Sequence, residues 1–535
     1  MTPPSITKEV PANGCNNFKG NTIKISFNEF VTLNNTFENV LISPPLTQQP
    51  TYTLSGKTLI IKFQDTLQSN QTYNIGFANC IQDFTESNPI PFYNFAFSTG
   101  EAVDSFMLQG KVIDAKSTDK VKGCFVFAYS QDIDSLPLTT KPQYITKTQP
   151  NGSFTIKNIR PGDYKLFALK DINNNLIFDL PNEEIAFAES TIAAVPIPTP
   201  KDTTAPQDTL AVDIVKDTMP KTPETTMLLF MEEDTTQDFV KKENKETGKY
   251  LFIYKSKICT HKAEVISGEL ADHFEIVGRD TITWYFKEPV PDSLIVAMTV
   301  NDTVCDTLRL EPYKKAGGRT GARRGRSGDR TPLAVTVKNA GELYAPISLD
   351  FPYPVRPKDS VPVQVVSTKK YSGNDTTWLY LSIPDTFTTR LTINRKFEEK
   401  VPYTLTIRDS VFEGYNGLTN DTIRIKFTTK TEKDYGLLRM TYRLPDNGHP
   451  FVVQLLNGKG EVLQSNSIRQ TETLTYPNLP AGGYKIKAIE DCNANGIWDT
   501  GNYRRKLEPE RVFFFDKAVT IRGYWELEEE WKIEP

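Results

Sequence analysis

Along residues 22–100 apolar and polar residues alternate with the two-residue period of a half-buried strand. Ile23, Ile25 and Phe27 share one face, as do Leu59, Ile61 and Phe63, and then Tyr73, Ile75 and Phe77. Phe95 and Phe97 close the segment, and polar turns such as Ser55-Gly56-Lys57 and Gln68-Ser69-Asn70 separate the runs. Short strands at this spacing predict a sandwich of two antiparallel sheets. Residues 333–430 repeat the plan: Ile23-Lys-Ile25-Ser-Phe27 corresponds to Ile347-Ser-Leu349-Asp-Phe351, and Val31 to Val355. In the same way Tyr73-Asn-Ile75 corresponds to Tyr403-Thr-Leu405, and Phe95-Ala-Phe97 to Ile425-Lys-Phe427.

A second repeat is still plainer. Residues 158–179 and 478–499 align without a gap, from Asn158 and Asn478 through Tyr164 and Tyr484 to Asp179 and Asp499. Each copy follows one of the alternating segments, so the chain uses a two-domain unit twice. Between the units, Tyr250–Tyr254, Thr281–Phe286 and Leu294–Met298 are strong strand patterns, and the polar stretch Asp234–Lys242 would tolerate a short helix. The reading is all-β, with five sandwiches at 1–102, 103–191, 226–312, 333–432 and 433–535. A Pro/Thr/Asp-rich extended linker occupies 192–225, and a Gly-rich basic tract occupies 313–332. That tract reads as a solvated interdomain loop rather than a phosphate-binding surface, because charge runs are usually solvated.

Composition narrows the function. A chain of 535 residues exceeds one core. The net charge of −4 excludes a globally basic nucleic-acid binder, so no nucleic-acid partner is expected. No stretch approaches the roughly 18 apolar residues that cross a bilayer as a helix, and Met1-Thr2-Pro3-Pro4 does not open a signal peptide. Of a cytoplasmic protein and a mature part whose leader has been removed, the second is preferred. Six cysteines lack any Cys-x-x-Cys. Cys15 with Cys80, and Cys259 with Cys305, fall inside single domains, so two disulfides and six buried free thiols stand equally open.

Residues 1–100 resemble the bacterial Ig-like domain of S-layer type. The likeness is carried by Thr2-Pro3-Pro4, Val10-Pro11, Asn17-Phe18-Lys19-Gly20, the strand ending Phe27-Asn28-Glu29 and the Phe95-Ala-Phe97-Ser-Thr99 run. Residues 105–190 and 434–530 are similar to transthyretin-like or carboxypeptidase-regulatory-like sandwiches, through Gly152-Ser-Phe154 and Asn158-Ile159-Arg-Pro-Gly162-Asp-Tyr164; Thr471–Leu474 stands in for the first of these in the second copy. The whole order resembles Ig-like domain-containing lipoproteins of the Bacteroidetes. That resemblance implies a cell-envelope protein, held at the outer membrane by an N-terminal lipid anchor that is not in this sequence, since Cys15 lies too deep to bear it. It supplies no reaction.

The repeated segment carries the main candidate site. Asp171, Asn173, Asn175 and Asp179, and again Asp491, Asn493, Asn495 and Asp499, place oxygen side chains at positions 1, 3, 5 and 9 of a calcium-type loop. The Ile497 carbonyl falls at position 7, and Gly496 takes the sharp-turn position that Leu176 fills in the first copy. Position 12 is Asn182 or Asn502 instead of a bidentate Glu, although Glu183 and Glu184 lie close to the first copy. At most weak Ca²⁺ binding is expected, and no cofactor is required. An Asx-rich turn capping its own backbone is the stronger reading, because the bidentate ligand is missing.

His261, His273 and His449 have no nucleophile-elbow or zinc-helix context, so no catalytic residue is assigned. Of the tryptophans at 284, 378, 498, 525 and 531, Trp498 is singled out as a ligand-binding residue because it sits in the repeated loop. The function expected is a non-catalytic envelope scaffold or interaction subunit of an outer-membrane protein complex. A surface glycan-binding protein is the first alternative and a carboxylate-dependent hydrolase the second.

Overall fold

A computed structural model describes residues 3–534 except 92, 199–224, 234–235, 247, 288–293, 312–332, 358–360, 370–372 and 382–385. The basic tract and most of the Pro/Thr-rich linker lie outside the described residues. Strand is almost the only regular structure in the described residues, as the alternation predicts. It divides into two compact units: Met1–Glu232 with Ala488–Phe513, and Glu233–Lys487 with Phe514–Pro535.

Unit 1 opens with the first sandwich. One sheet runs Ile6–Val10, Thr22–Phe27, Thr58–Lys62, Thr51–Ser55, and the other Leu41–Ser43, Thr72–Gly76, Asn94–Ser98. The residues that alternate in sequence form the core between them, with Ile23, Ile25, Leu59, Ile61, Ile75, Phe95 and Phe97 all fully buried.

The second sandwich of unit 1 bears the first repeated loop. Its strands are joined in the order Tyr144–Lys147, Phe125–Tyr129, Asp163–Lys170, Glu184–Phe187, Thr225–Met231, Phe106–Asp114, Ser153–Ile159. Thr225–Met231 therefore does not open the middle domain, as the expected boundary at 226 would have it. It pairs parallel with Gly110–Asp114 and antiparallel with Glu184–Ile185, and it buries Met227, Leu229 and Phe230. A strand reached through a long connection carries no local signal of the sheet it joins. Ile192–Ala193 and Val195–Pro196, assigned to the linker, likewise pair with Asp163–Tyr164 and Phe106–Met107.

In unit 2 the middle sandwich packs the sheet Phe239–Glu246, Lys249–Tyr254, Thr281–Phe286, His273–Val277 on His261–Ser267, Leu294–Val300, Thr303–Leu310. The helix allowed at 234–242 is instead the start of an edge strand from Phe239, held by Lys249–Tyr254. Tertiary pairing overrides a polar segment's weak local preference.

The second copy of the first sandwich reproduces its pairings. Val31 pairs with Asp83 and Val355 with Gly414; Tyr73 stacks on its cross-strand partner Phe97 at 5.4 Å, and Tyr403 on Phe427 at 5.7 Å. In both, the tyrosine hydroxyl accepts from the backbone N–H five residues earlier, Gln68 or Glu398. The second loop-bearing sandwich repeats a matching device, for the hydroxyls of Tyr164 and Tyr484 donate to the carbonyls of Arg160 and Pro480. It also closes with a parallel strand, Glu526–Lys532 beside Tyr435–Arg443, as Thr225–Met231 closes the first.

The alternative of two disulfides is corrected. Cys15, Cys80, Cys124 and Cys259 are free thiols; Cys259 and Cys492 are exposed, so not all the cysteines are buried either, and the Cys305 side chain lies outside the described residues. Cys80 and Cys124 are enclosed in apolar cores, where burial pushes their thiols up to about 11 and about 12. Such thiols are poor nucleophiles and behave as small hydrophobes.

Candidate functional site: the two Asp-Asn loops

Both repeated loops belong to unit 1. Each follows a core strand whose Tyr-Lys-x-x-Ala segment buries the tyrosine, at Tyr164 and Tyr484. The chain then reverses in a turn that its own side chains stitch together. In the first copy the Asp171 carboxylate accepts from the N–H groups of Asn174 and Leu176 at 2.6 and 2.8 Å. Asn173 and Asn175 accept from Asn175 N–H and Ile177 N–H, and their amide groups donate to Asp179 at 3.1 and 2.8 Å. In the second copy Asp491 accepts from Asn495 and Gly496, and Asn495 from Ile497 N–H. Asn493 and Asn495 donate to Asp499 at 2.5 and 2.6 Å. The predicted ligands are thus brought together in both copies, as a closed net of Asx turns.

Position 6 has the same left-handed backbone in both, at φ 63° for Leu176 and 81° for Gly496. Leucine is strained there, whereas glycine is not. Leu176 packs against the aromatic cluster around Phe167 and Phe178, which offsets that cost.

The structure adds one carboxylate to each loop: Glu183, already noted near position 12 of the first copy, and Glu510, which spacing did not reveal. Glu183 is fully buried, and its oxygens accept from the N–H groups of Ile172, Asp179 and Leu180 at 3.1 Å. Glu510 does the same work in the second copy, accepting from Cys492 at 2.9 Å and Asp499 at 3.0 Å. Each clamps the two ends of its loop. Glu183 lies four positions after Asp179, but Glu510 lies eleven after Asp499, because the second copy carries an insertion. A fixed-offset search cannot find a partner displaced by an insertion; a buried Glu in the sequence has no other signature.

That insertion is a docking element. Tyr503, on the short 3₁₀ turn Tyr503–Arg505, is 4% exposed. Its ring meets Phe167 edge-on at 5.7 Å and Phe178 at 6.2 Å, and tilts against Phe187 at 5.5 Å. Its hydroxyl donates to the Asp134 carbonyl, and its N–H donates to Glu232 at 2.6 Å. The Lys506 ammonium pairs with the Asp134 carboxylate, which this holds below the usual carboxylate range. Gly501 is required by close approach, since a Cβ there would meet the Phe230 ring at 2.6 Å. Phe178 belongs to the first loop and Tyr503 to the extension of the second, so the two copies of the repeat touch within unit 1.

Trp498 is half-buried in the same cluster. Its indole N–H donates to the Glu510 carbonyl at 2.8 Å, and the Lys116 ammonium lies 5.3 Å from its ring. Trp284 and Trp531 are buried, whereas Trp378 and Trp525 are exposed. His261 is not a loose surface residue. Its Nε2 lies 2.7 Å from Glu275, which also accepts from the Trp284 indole at 2.6 Å, so one carboxylate ties the two sheets of the middle sandwich together.

Residues 1–99 match the family of the bacterial Ig-like domain. Residues 115–171, within the first loop-bearing sandwich, match domain II of polysaccharide lyase family 4. No curated protein matches the chain. Solved structures align over long stretches at low similarity. The major pilin subunit BcpA of Bacillus cereus is 9% identical, with 79% of this chain and 98% of that one covered at a TM-score of 0.14. The S-layer protein rSbsC(31-844) is 12% identical, with 98% and 67% covered at 0.14. An Escherichia coli alpha-2-macroglobulin fragment is 13% identical, with 36% and 94% covered at 0.15. Scores of this size carry no argument about shape or role.

Proposed function

We propose that this is a non-catalytic, multi-domain cell-envelope protein that serves as a scaffold or interaction subunit of an outer-membrane protein complex. One observation carries the reading. The polar side chains that looked most like a site are spent on the loops' own backbone, and the second copy's insertion is spent on gripping the first loop-bearing sandwich. Groups committed to rigidity suit a body that holds surfaces at fixed positions. The bacterial Ig-like match at residues 1–99 supports an envelope setting. The finer identity, a lipid-anchored Bacteroidetes protein with transthyretin-like second domains, is part of this proposal and rests on sequence resemblance. A mild-detergent pull-down of the full chain from its native envelope, read by mass spectrometry, tests it. Co-purifying outer-membrane proteins in fixed ratio are expected; recovery of the chain alone would count against the subunit role.

A second reading concerns the loops. Turning the paired Asn amides about χ2 would add their oxygens to the Asp179 or Asp499 carboxylate as ligands for a hard cation, at the cost of the bonds those oxygens accept from backbone N–H groups, which keeps the affinity low. We infer weak Ca²⁺ binding, stronger at Asp491–Asp499, where glycine relieves the turn. Millimolar Ca²⁺ should raise the melting temperature of the full chain, and Asp499→Asn should abolish the rise. No heat and no stabilisation at that concentration would sink the idea.

A further inference from the structure

One sheet face in unit 2 sets exposed aromatic rings beside cations. The sheet runs Gly373–Leu381, Val361–Lys369, Pro402–Ile407, Ile423–Thr428. Val363, Val365, Leu381, Leu405 and Ile407 turn into the core, so the residues alternating with them face solvent. Among these are Trp378 and Tyr380, 46% and 65% exposed. Two residues apart on one strand, they stand about 7 Å apart. Trp378 is in register with Gln364, Gln364 with Thr406, and Thr406 with Arg424, so one row crosses the whole sheet. The Arg408 guanidinium lies 6.0 Å from the Trp378 ring, and Lys426 follows Arg424 on the same face. Among the described residues of these strands no Asp or Glu takes an outward position; Asp375 alternates to the other side with Thr377 and Leu379. Yet the chain holds 66 acidic residues and a net charge of −4.

Two exposed aromatic rings side by side on one strand face make an apolar patch rimmed by polar residues, the kind that marks a binding surface. Their flat faces suit ring C–H groups, while the side chains of Gln364 and Thr406 offer hydrogen bonds. The guanidinium groups match carboxylate or sulfate geometry. We propose that this face binds an acidic polysaccharide, with sugar rings stacked on Trp378 and Tyr380 and its anionic groups paired with Arg408 and Arg424. Trp, Tyr and Arg suit a protein partner too, but Lys426 beside Arg424 favours the polysaccharide, since lysine is depleted at protein interfaces. Single-stranded nucleic acid also uses stacking and cations, but along a groove that follows many phosphates, which this flat face does not provide. The proposal goes beyond the scaffold reading and stands without it.

The test is affinity electrophoresis of the full chain through gels holding polygalacturonate, dextran sulfate or neutral dextran, with oligo(dT) binding measured alongside. Retardation by at least one acidic polymer and not by neutral dextran is expected; the first two gels separate carboxylated from sulfated ligands. Trp378→Ala should weaken retardation about tenfold, as loss of a stacked ring would. Arg424→Glu, at an exposed position, should weaken it as well and keeps the test decisive if Trp378→Ala fails to fold. The proposal is overturned if neither acidic polymer retards the chain, or if neutral dextran retards it equally. It is also overturned if both variants behave as the parent, or if oligo(dT) binds as tightly as the acidic polymers.

Discussion

Replacing Tyr503 with alanine should release the inserted turn from the first loop-bearing sandwich. The ring buries at least about 150 Å² of apolar surface, which at about 25 cal/mol/Å² amounts to about 4 kcal/mol. That agrees with the ~3–5 kcal/mol usual for removing a buried aromatic side chain. The insertion can detach without parting the strands beneath it, so the loss should appear as local opening and not as global unfolding. Hydrogen exchange on the full chain is the assay. The reporters are the amides of Asn502, Lys506 and Leu507, bonded to Leu507, Tyr503 and Asn502 carbonyls. Their protection should fall by up to about a thousandfold, since each 1.4 kcal/mol is a factor of ten. The amide of Phe178, bonded to the Pro137 carbonyl beneath the ring, should fall less. Tyr503→Phe keeps the ring contacts and loses only the hydroxyl bond to Asp134, about 1 kcal/mol. Unchanged protection of all three reporters in Tyr503→Ala would refute the claim that this ring holds the segment.

Three further outcomes follow from the same geometry. Half-buried Glu508 is pushed up by burial and then by the nearby Glu189 carboxylate, so the folded state holds its proton more tightly than the unfolded chain does. Stability from this group is therefore present below its ordinary pKa and lost as pH rises through the raised one. Mild acidification from neutrality should raise the protection factors in 501–510, taken against the intrinsic exchange rate at each pH, and Glu508→Gln should remove that rise; further acidification, through the lowered Asp134 pKa, discharges the Asp134–Lys506 pair and reverses the trend. Gly110→Ala would put a Cβ 2.4 Å from the Thr225 carbonyl, so the parallel strand must shift; a loss of about 1–3 kcal/mol in urea denaturation is expected, and wild-type stability would refute the close packing. Glu275→Leu leaves the buried Trp284 indole without its acceptor, at a cost of about 1–3 kcal/mol. Tryptophan fluorescence should report this, and an unchanged denaturation midpoint would exclude the bridge.

Much of this protein was legible without its structure. The two-residue alternation located Ile23, Ile25, Leu59, Ile61, Tyr73 and Phe97 in a core, because a strand with one buried face must alternate. The constant offset between the repeats foretold matching turns down to the left-handed position shared by Leu176 and Gly496. What remained hidden depended on residues far apart in the chain. Thr225–Met231 gave no sign that it completes the sheet of Phe106–Asp114, since a strand's own pattern shows that it is half-buried but not against what. The helix allowed near residue 240 gave way to an edge strand for the same reason. Glu183 and Glu510 became visible as clamps only once folding brought them to the loop ends. Tyr503 carries no signal in the sequence, and the tertiary structure makes it the contact between the two copies of the repeat. Periodicity is written in neighbouring residues and can be read from them. Partnership between distant segments depends on complementary surfaces that exist only after the chain has closed.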